Sequence, residues 1–242
     1  MNAATTIANS FGASINQVTG SNNGTVYTVD ANGNPILFNL SSLPMLITGM
    51  DANFKADRDV FFMLYTSSNP TLGQKIANST SSISGTNFNA VNPTRFIIHG
   101  WMNNYTSAVN TEITSAYLSR GNFNLVSNRI KKWFLSMYNN LNYRKVVVDW
   151  GVGAMDINFF ASRFRVNPVS VVVASFINFL IANQLASYNS VAIIGHSYGA
   201  HVAGLTGKKI VGGKVKTIFG LDPSSTLFDP NNPVHRLAST DA

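Results

Sequence analysis

The chain has 242 residues, 45% of them hydrophobic and only 11% charged, with no cysteine. That is enough apolar material for one large α/β domain, and it excludes disulfides and thiolate–metal sites. The formal charge of +7 does not indicate nucleic acid, because five of the 17 basic residues fall in the acid-free stretch 125–145 and the other twelve face ten acids.

Residues 1–55 are rich in Asn, Ser, Thr and Gly, with turn signals at Asn32-Gly33 and Asn34-Pro35, and read as a loosely organised N-terminal extension to a domain over 56–242. "MNAATTIANSFGAS" lacks the charged start and apolar stretch of a signal peptide. Sequons at Asn23, Asn39, Asn78 and Asn104, together with the low charge, nonetheless favour a secreted, extracellular protein. From Asp59 onward five short apolar runs appear: "DVFFMLYT", "RFIIHGW", "KVVVDWG", "SVAIIGH" and "VKTIFGLD". Each is continuous rather than alternating, as expected of strands buried on both faces of a parallel sheet. Helices are predicted over 108–119, 166–187 and 198–210. The apolar run within 169–182, interrupted by Ser170, Ser175 and Asn178, is too short to span a bilayer and reads as a core helix, so no transmembrane segment is expected. Strand and helix in alternation predict an α/β fold with a mostly parallel central sheet flanked by helices.

In such a sheet the working residues gather where strands end. Those ends carry His99-Gly100-Trp101, Asp149-Trp150, Gly195-His196-Ser197 and Asp222-Pro223. "GHSYG" fits the G-x-S-x-G elbow, in which a sharp strand-to-helix turn lifts the central serine above the sheet and Gly195 and Gly199 remove side chains that would clash. Ser197 is therefore the candidate nucleophile. The backbone N–H groups of Trp101 and Tyr198 are the candidate oxyanion donors, with Gly100 in the donor loop. His99 is expected to shape that loop. His196 should point into the fold and His201 should pack beneath the sheet edge. Asp222, 25 residues beyond Ser197 at the end of the next strand, is the candidate acid, whereas Asp149 precedes the serine and reads as structural. No metal cluster and no cofactor are expected.

"PTRFIIHGW", "VVVDWG", "VAIIGHSYGAHVAG" and "GLDPSSTLF" resemble the pancreatic lipase family, and "LYTSSNPTLGQKI" and "LSRGNFN" are similar to its insect, phospholipase A1-like members. The resemblance runs from about Asp59 to Ala242. It implies an α/β-hydrolase fold, incomplete at its C-terminal side, and a serine carboxylic-ester hydrolase acting on lipids at a lipid–water interface through an acyl-enzyme. By the same resemblance the histidine base lies beyond residue 242, after the lid. This would leave the chain as given inactive, and in relatives the loop holding His235 is a non-catalytic connection. By chain order alone His235, 13 residues after Asp222, remains a possible base. The chain departs from the family in two further ways: the segment 125–145 intervenes before "VVVDW", and Tyr198 stands where a smaller apolar residue is usual. The alternative reading is a non-catalytic lipid-binding or yolk storage protein on the same fold.

Overall fold

A computed structural model describes residues 25–29, 35–39, 54–119, 144–154, 159–225 and 227–242. The segment 125–143 of the predicted insertion lies outside them, while Arg144 and Lys145 open a core strand.

Strands β1 (Thr25–Val29) and β2 (Pro35–Asn39) pair antiparallel, so the stretch read as loosely organised contains a pair of strands, while the turn predicted at Asn32-Gly33 and Asn34 lies outside the described residues. The one-turn helix α1 (Ala56–Asp59) leads into β3 (Phe61–Tyr65). β4 (Gln74–Ile76), α2 (Thr80–Ser84), β5 (Thr94–Ile98) and α3 (Ala108–Leu118) follow. β6 (Arg144–Asp149), α4 (Gly151–Ala154), α5 (Phe159–Ala182), β7 (Val191–His196), α6 (Tyr198–Gly207) and β8 (Thr217–Leu221) complete the order. Six strands form one sheet in the order β4-β3-β6-β5-β7-β8. The ladders β6-β5, β5-β7 and β7-β8 are parallel.

The sheet is mostly parallel, as expected; the departure is β3, whose continuous apolar run reads as a parallel strand but which runs antiparallel to both β4 and β6. β3 lies one strand in from the edge, beside the three-residue β4, and alternates in exposure (Phe61 and Met63 partly exposed, Phe62 and Leu64 buried), whereas every residue of the more central β5 is buried. Side-chain parity sorts the inner strands. Phe62, Leu64, Phe96, Ile98, Val146, Val148 and Ile193 face α5 and α6 on one side. Ile97, Val147 and Ile194 meet Ile113, Tyr117 and Leu118 of α3 on the other. The continuous apolar runs follow from this covering of both faces. At the centre, Phe176 is fully buried and stacks 4.3 Å from Phe62 and edge-on at 6.1 Å from Phe96.

α5 begins seven residues earlier than predicted and passes through Pro168. Burial of Ala161, Val166 and Val169 on the apolar side carries the helix back past the predicted start. α5 also ends at Ala182 rather than Ser187. Gln184 adopts φ 59°, its amide donates to Ile181 O, and Leu185 N–H reaches back to Leu180 O, which together make a Schellman closure without glycine. At 24 residues α5 is long and apolar enough to cross a membrane, longer than the run read from sequence. Half of that apolar window is nonetheless buried within the domain, as in a core helix.

Candidate active site

Ser197 sits between β7 and α6 with φ 54° and ψ −120°, a backbone conformation strongly disfavoured for a side-chain-bearing residue. The glycines beside it make the turn possible. A Cβ on Gly195 would lie 2.1 Å from Gly199 O, and one on Gly199 would lie 2.2 Å from Ile98 O, so α6 starts in direct contact with β5. Farther along α6 the small residues serve neighbours outside the sheet as well: Gly204 admits the backbone of Leu237, and Gly207 admits Asp241 O and the Ile218 methyl. Ser197 remains partly accessible.

The Gly100 loop lies directly over it. A Cβ on Gly100 would be 2.8 Å from Ser197 Cβ and 3.3 Å from its Oγ, so this loop needs glycine to approach the hydroxyl. His99 is fully buried, stacks on Trp150, and has its Nδ1 3.0 Å from Gly100 O. A carbonyl only accepts, so Nδ1 carries the proton. Trp150 Nε1–H donates to His99 O at 2.9 Å, the Trp150 amide donates to His99 Nε2 at 3.2 Å, and Asp149 Oδ1 lies 3.3 Å from the same nitrogen. Burial works to raise the Asp149 pKa. Its contact with His99 and the hydrogen bonds from the Gly151 and Tyr105 amides act against burial, and the carboxyl is held below its ordinary value. Asp149 therefore supports the loop, as expected from its place in the chain. Met102 continues the loop with φ 55° and donates its amide to Ala154 O at 2.9 Å. Sequence reading missed Met102 and Trp150 as loop supports, since neither a positive φ nor a ring stack leaves a local sequence signal.

On the other side, β7 and β8 align His196 with Leu221, and Ser197 N–H donates to Leu221 O at 3.0 Å. Ser197 and Asp222 are thus neighbours at the ends of adjacent parallel strands, whose axes lie about 4.8 Å apart. Asp222 also has positive φ (44°) and is exposed. Of the five non-glycine residues with positive φ among the described residues, three, Met102, Ser197 and Asp222, follow β5, β7 and β8 at the same sheet edge. Such strain concentrates where the surroundings over-determine it.

The four histidines separate clearly. His201 accepts Leu237 N–H at Nδ1 (3.1 Å) and donates from Nε2 to Ser224 O (2.8 Å); burial pushes its pKa down to about 4, so the ring is neutral. His196 is partly buried, its Nδ1 has no hydrogen-bond partner, and burial lowers its pKa against the opposing pull of Asp222. His235 is exposed at the end of a 3-10 turn (Pro233–His235), and no hydrogen bond or ion pair joins it to Ser197 or Asp222 among the described residues. Tyr198 is fully buried edge-on to Phe228, so its ring belongs to the core while its amide stays at the first turn of α6. No group of three or more His, Asp or Glu able to hold a metal occurs among the described residues.

Known proteins carry the same pattern. Residues 31–242 match the Lipase family. Human pancreatic triacylglycerol lipase is 34% identical over 186 residues, which is 77% of this chain and 35% of the relative. The mouse enzyme of that name is 33% identical over 181 residues, covering 75% of this chain and 34% of its own length. Mouse inactive pancreatic lipase-related protein 1 is 34% identical over 182 residues, again 75% and 34%. The chain spans about a third of the length of these relatives. With the elbow, the mixed sheet and a family match over most of its length, the chain belongs to the pancreatic lipase family, on an α/β-hydrolase fold.

Proposed function

We propose that the protein is a secreted serine hydrolase of lipid carboxylic esters, with Ser197 as nucleophile and Asp222 as the acid. The observation that carries this reading is the backbone of Ser197. A strained, partly accessible serine stands between the Gly100 loop and the carboxylate that follows the neighbouring strand.

In this reading Ser197 Oγ attacks the acyl carbonyl as a histidine base takes its proton. The carbonyl oxygen becomes an oxyanion held by the Trp101 and Tyr198 amides. The base then protonates the departing alcohol, and water releases the fatty acid from the acyl-enzyme by the same steps. His99 contributes by holding Gly100 O. That carbonyl and the Trp101 N–H belong to one trans peptide unit, so fixing one aims the other. None of the four histidines fits the base: His99 and His201 have both nitrogens engaged, His196 precedes Ser197 on the strand, and His235 points to solvent. We infer that the base comes from outside these 242 residues, and that these residues alone hydrolyse esters at background rates. Triacylglycerols are the first substrates to test, since two of the relatives above are named for them. Phospholipid and galactolipid esters follow from the likeness to insect members.

The protein from its full coding sequence should hydrolyse p-nitrophenyl esters and take up a fluorophosphonate label, and Ser197→Ala should abolish both. Equal hydrolysis by that variant sinks the assignment. A second reading, a non-catalytic lipid binder, is favoured by the mouse relative named as inactive. It predicts no label on the intact protein.

A further inference from the structure

His201 is not needed for the chemistry, yet it is among the most constrained side chains beside the site. It lies four residues after Ser197, one turn along α6. Its Nε2 is 2.8 Å from Ser224 O, and Leu237 N–H lies 3.1 Å from its Nδ1. A carbonyl can only accept and an amide N–H can only donate, so a single neutral tautomer satisfies both. The Phe228 ring covers its face at 3.4 Å between centroids, nearly parallel. The far side of Phe228 is held by the Arg163 guanidinium, 3.9 Å from the ring centre. One imidazole thus ties the nucleophile's helix to two separate stretches, Ser224–Phe228 and Leu237.

What this clamp encloses is Asp222. Its φ of 44° is unfavourable for a residue with a side chain, so neighbouring contacts must hold it there. Two hydrogen bonds bracket it, and both originate on the nucleophile's turn and helix. Ser197 N–H holds Leu221 O, one residue before, and His201 Nε2–H holds Ser224 O, two residues after. The second anchor is itself seated, because Leu237 packs where Gly204 leaves no side chain. Without the His201 bond the Pro223–Ser224 end of the loop loses its tie to α6, and the carboxylate is free to leave the strained conformation.

We propose that His201 is a positioning residue that fixes the Asp222 carboxylate relative to Ser197 by bracketing its loop against the nucleophile's helix. The inference rests on the reading of Asp222 as the acid. His201 touches no reacting atom, so its effect passes entirely through Asp222, which is what an experiment can isolate.

The test uses the protein from its full coding sequence with a soluble p-nitrophenyl ester, measured well below each variant's unfolding temperature. His201→Phe keeps a flat ring against Phe228 but loses both hydrogen bonds. It should lower kcat roughly 10- to 100-fold with KM changed less than about 2-fold, and move the acid limb of the kcat/KM profile to lower pH, because a base histidine that loses its carboxylate partner titrates lower. His201→Gln, whose amide N–H can reach Ser224 O, should recover most of kcat and also serves if the Phe variant does not fold. In an Asp222→Asn background, itself expected to lose about 10³- to 10⁴-fold, His201→Phe should cost almost nothing more, since the two act as one unit. Wild-type kcat and pH profile in His201→Phe, or a full additional loss in the Asp222→Asn background, overturns the proposal and leaves the acid assignment standing. If Asp222→Asn keeps wild-type activity, or the Ser197 enzyme is no faster than Ser197→Ala, the reading of the site falls and this inference falls with it.

Discussion

Ser197→Gly should stabilise the fold while removing the nucleophile, and Ser197→Ala should not. The serine sits at φ 54° and ψ −120°, where a Cβ is penalised by about 1–3 kcal/mol. Alanine carries the same Cβ and keeps the whole penalty, so the two variants share the loss of the hydroxyl and differ only in backbone strain. Glycine escapes it but begins from a more flexible unfolded chain, which costs back about 0.5–1 kcal/mol. The balance puts Ser197→Gly about 0–2.5 kcal/mol above Ser197→Ala, centred near about 1 kcal/mol. For a chain of this size the central value is an increase in Tm of about 2–4 °C. Urea and thermal unfolding of the two variants side by side provide the measurement. A Ser197→Gly protein no more stable than Ser197→Ala would show that the elbow holds no strain at this residue. The argument from conformation to function would then lose its base.

Three other outcomes follow from contacts elsewhere. Gly199→Ala places a methyl 2.2 Å from the Ile98 carbonyl, so α6 must lift from β5. A loss of at least about 2–3 kcal/mol in urea unfolding, with disproportionate loss of activity, is expected. Lys145 is fully buried among apolar side chains with its Nζ lacking a hydrogen-bond partner, 5.8 Å from the Tyr117 ring, and burial pushes its pKa down to about 6. The unfolded chain therefore holds a proton that the folded chain sheds, and stability should climb as pH rises from 6 toward 10.5. Lys145→Met should remove that slope and add up to about 4 kcal/mol at pH 7. His201 gives a slope at lower pH. Its folded value of about 4 lies below the ordinary 6.5, so its contribution is complete above pH 6.5 and drains away as pH falls to 4, on the order of 3 kcal/mol in all. The charged groups facing it, Arg163 and Arg236, stay protonated throughout, so His201→Phe should flatten the acid limb of a stability–pH curve by that amount.

Much of the site was legible because its chemistry is local. The elbow glycines, the serine and the apolar run before them occupy consecutive positions, and a parallel sheet must bring its strand ends to one edge. The place of Asp222 at the end of the strand after the elbow was legible by the same logic, since that strand follows in order and Pro223 stops it. Elements failed where packing overrode a local signal. Val166 reads as the start of a helix, yet burial of residues before it carries α5 back to Phe159. That helix then ends at Ala182, before a left-handed turn at Gln184 that nothing in the residue type announces. β3 shows the same apolar composition as the parallel strands, and only the ladders made in the fold reveal that it runs antiparallel to β4 and β6.

The sequence by itself determined the fold class, the nucleophile's turn and the order of the working residues, because periodicity and glycine placement act over a few neighbouring bonds. Only the tertiary structure decided what each histidine does. Imidazole is indifferent to its neighbours in sequence: its protonation and role depend on which carbonyl, amide or carboxylate the fold brings within 3 Å. His99 meets Gly100 O and Asp149, fifty residues away, and His201 is caught between Ser224 and Leu237.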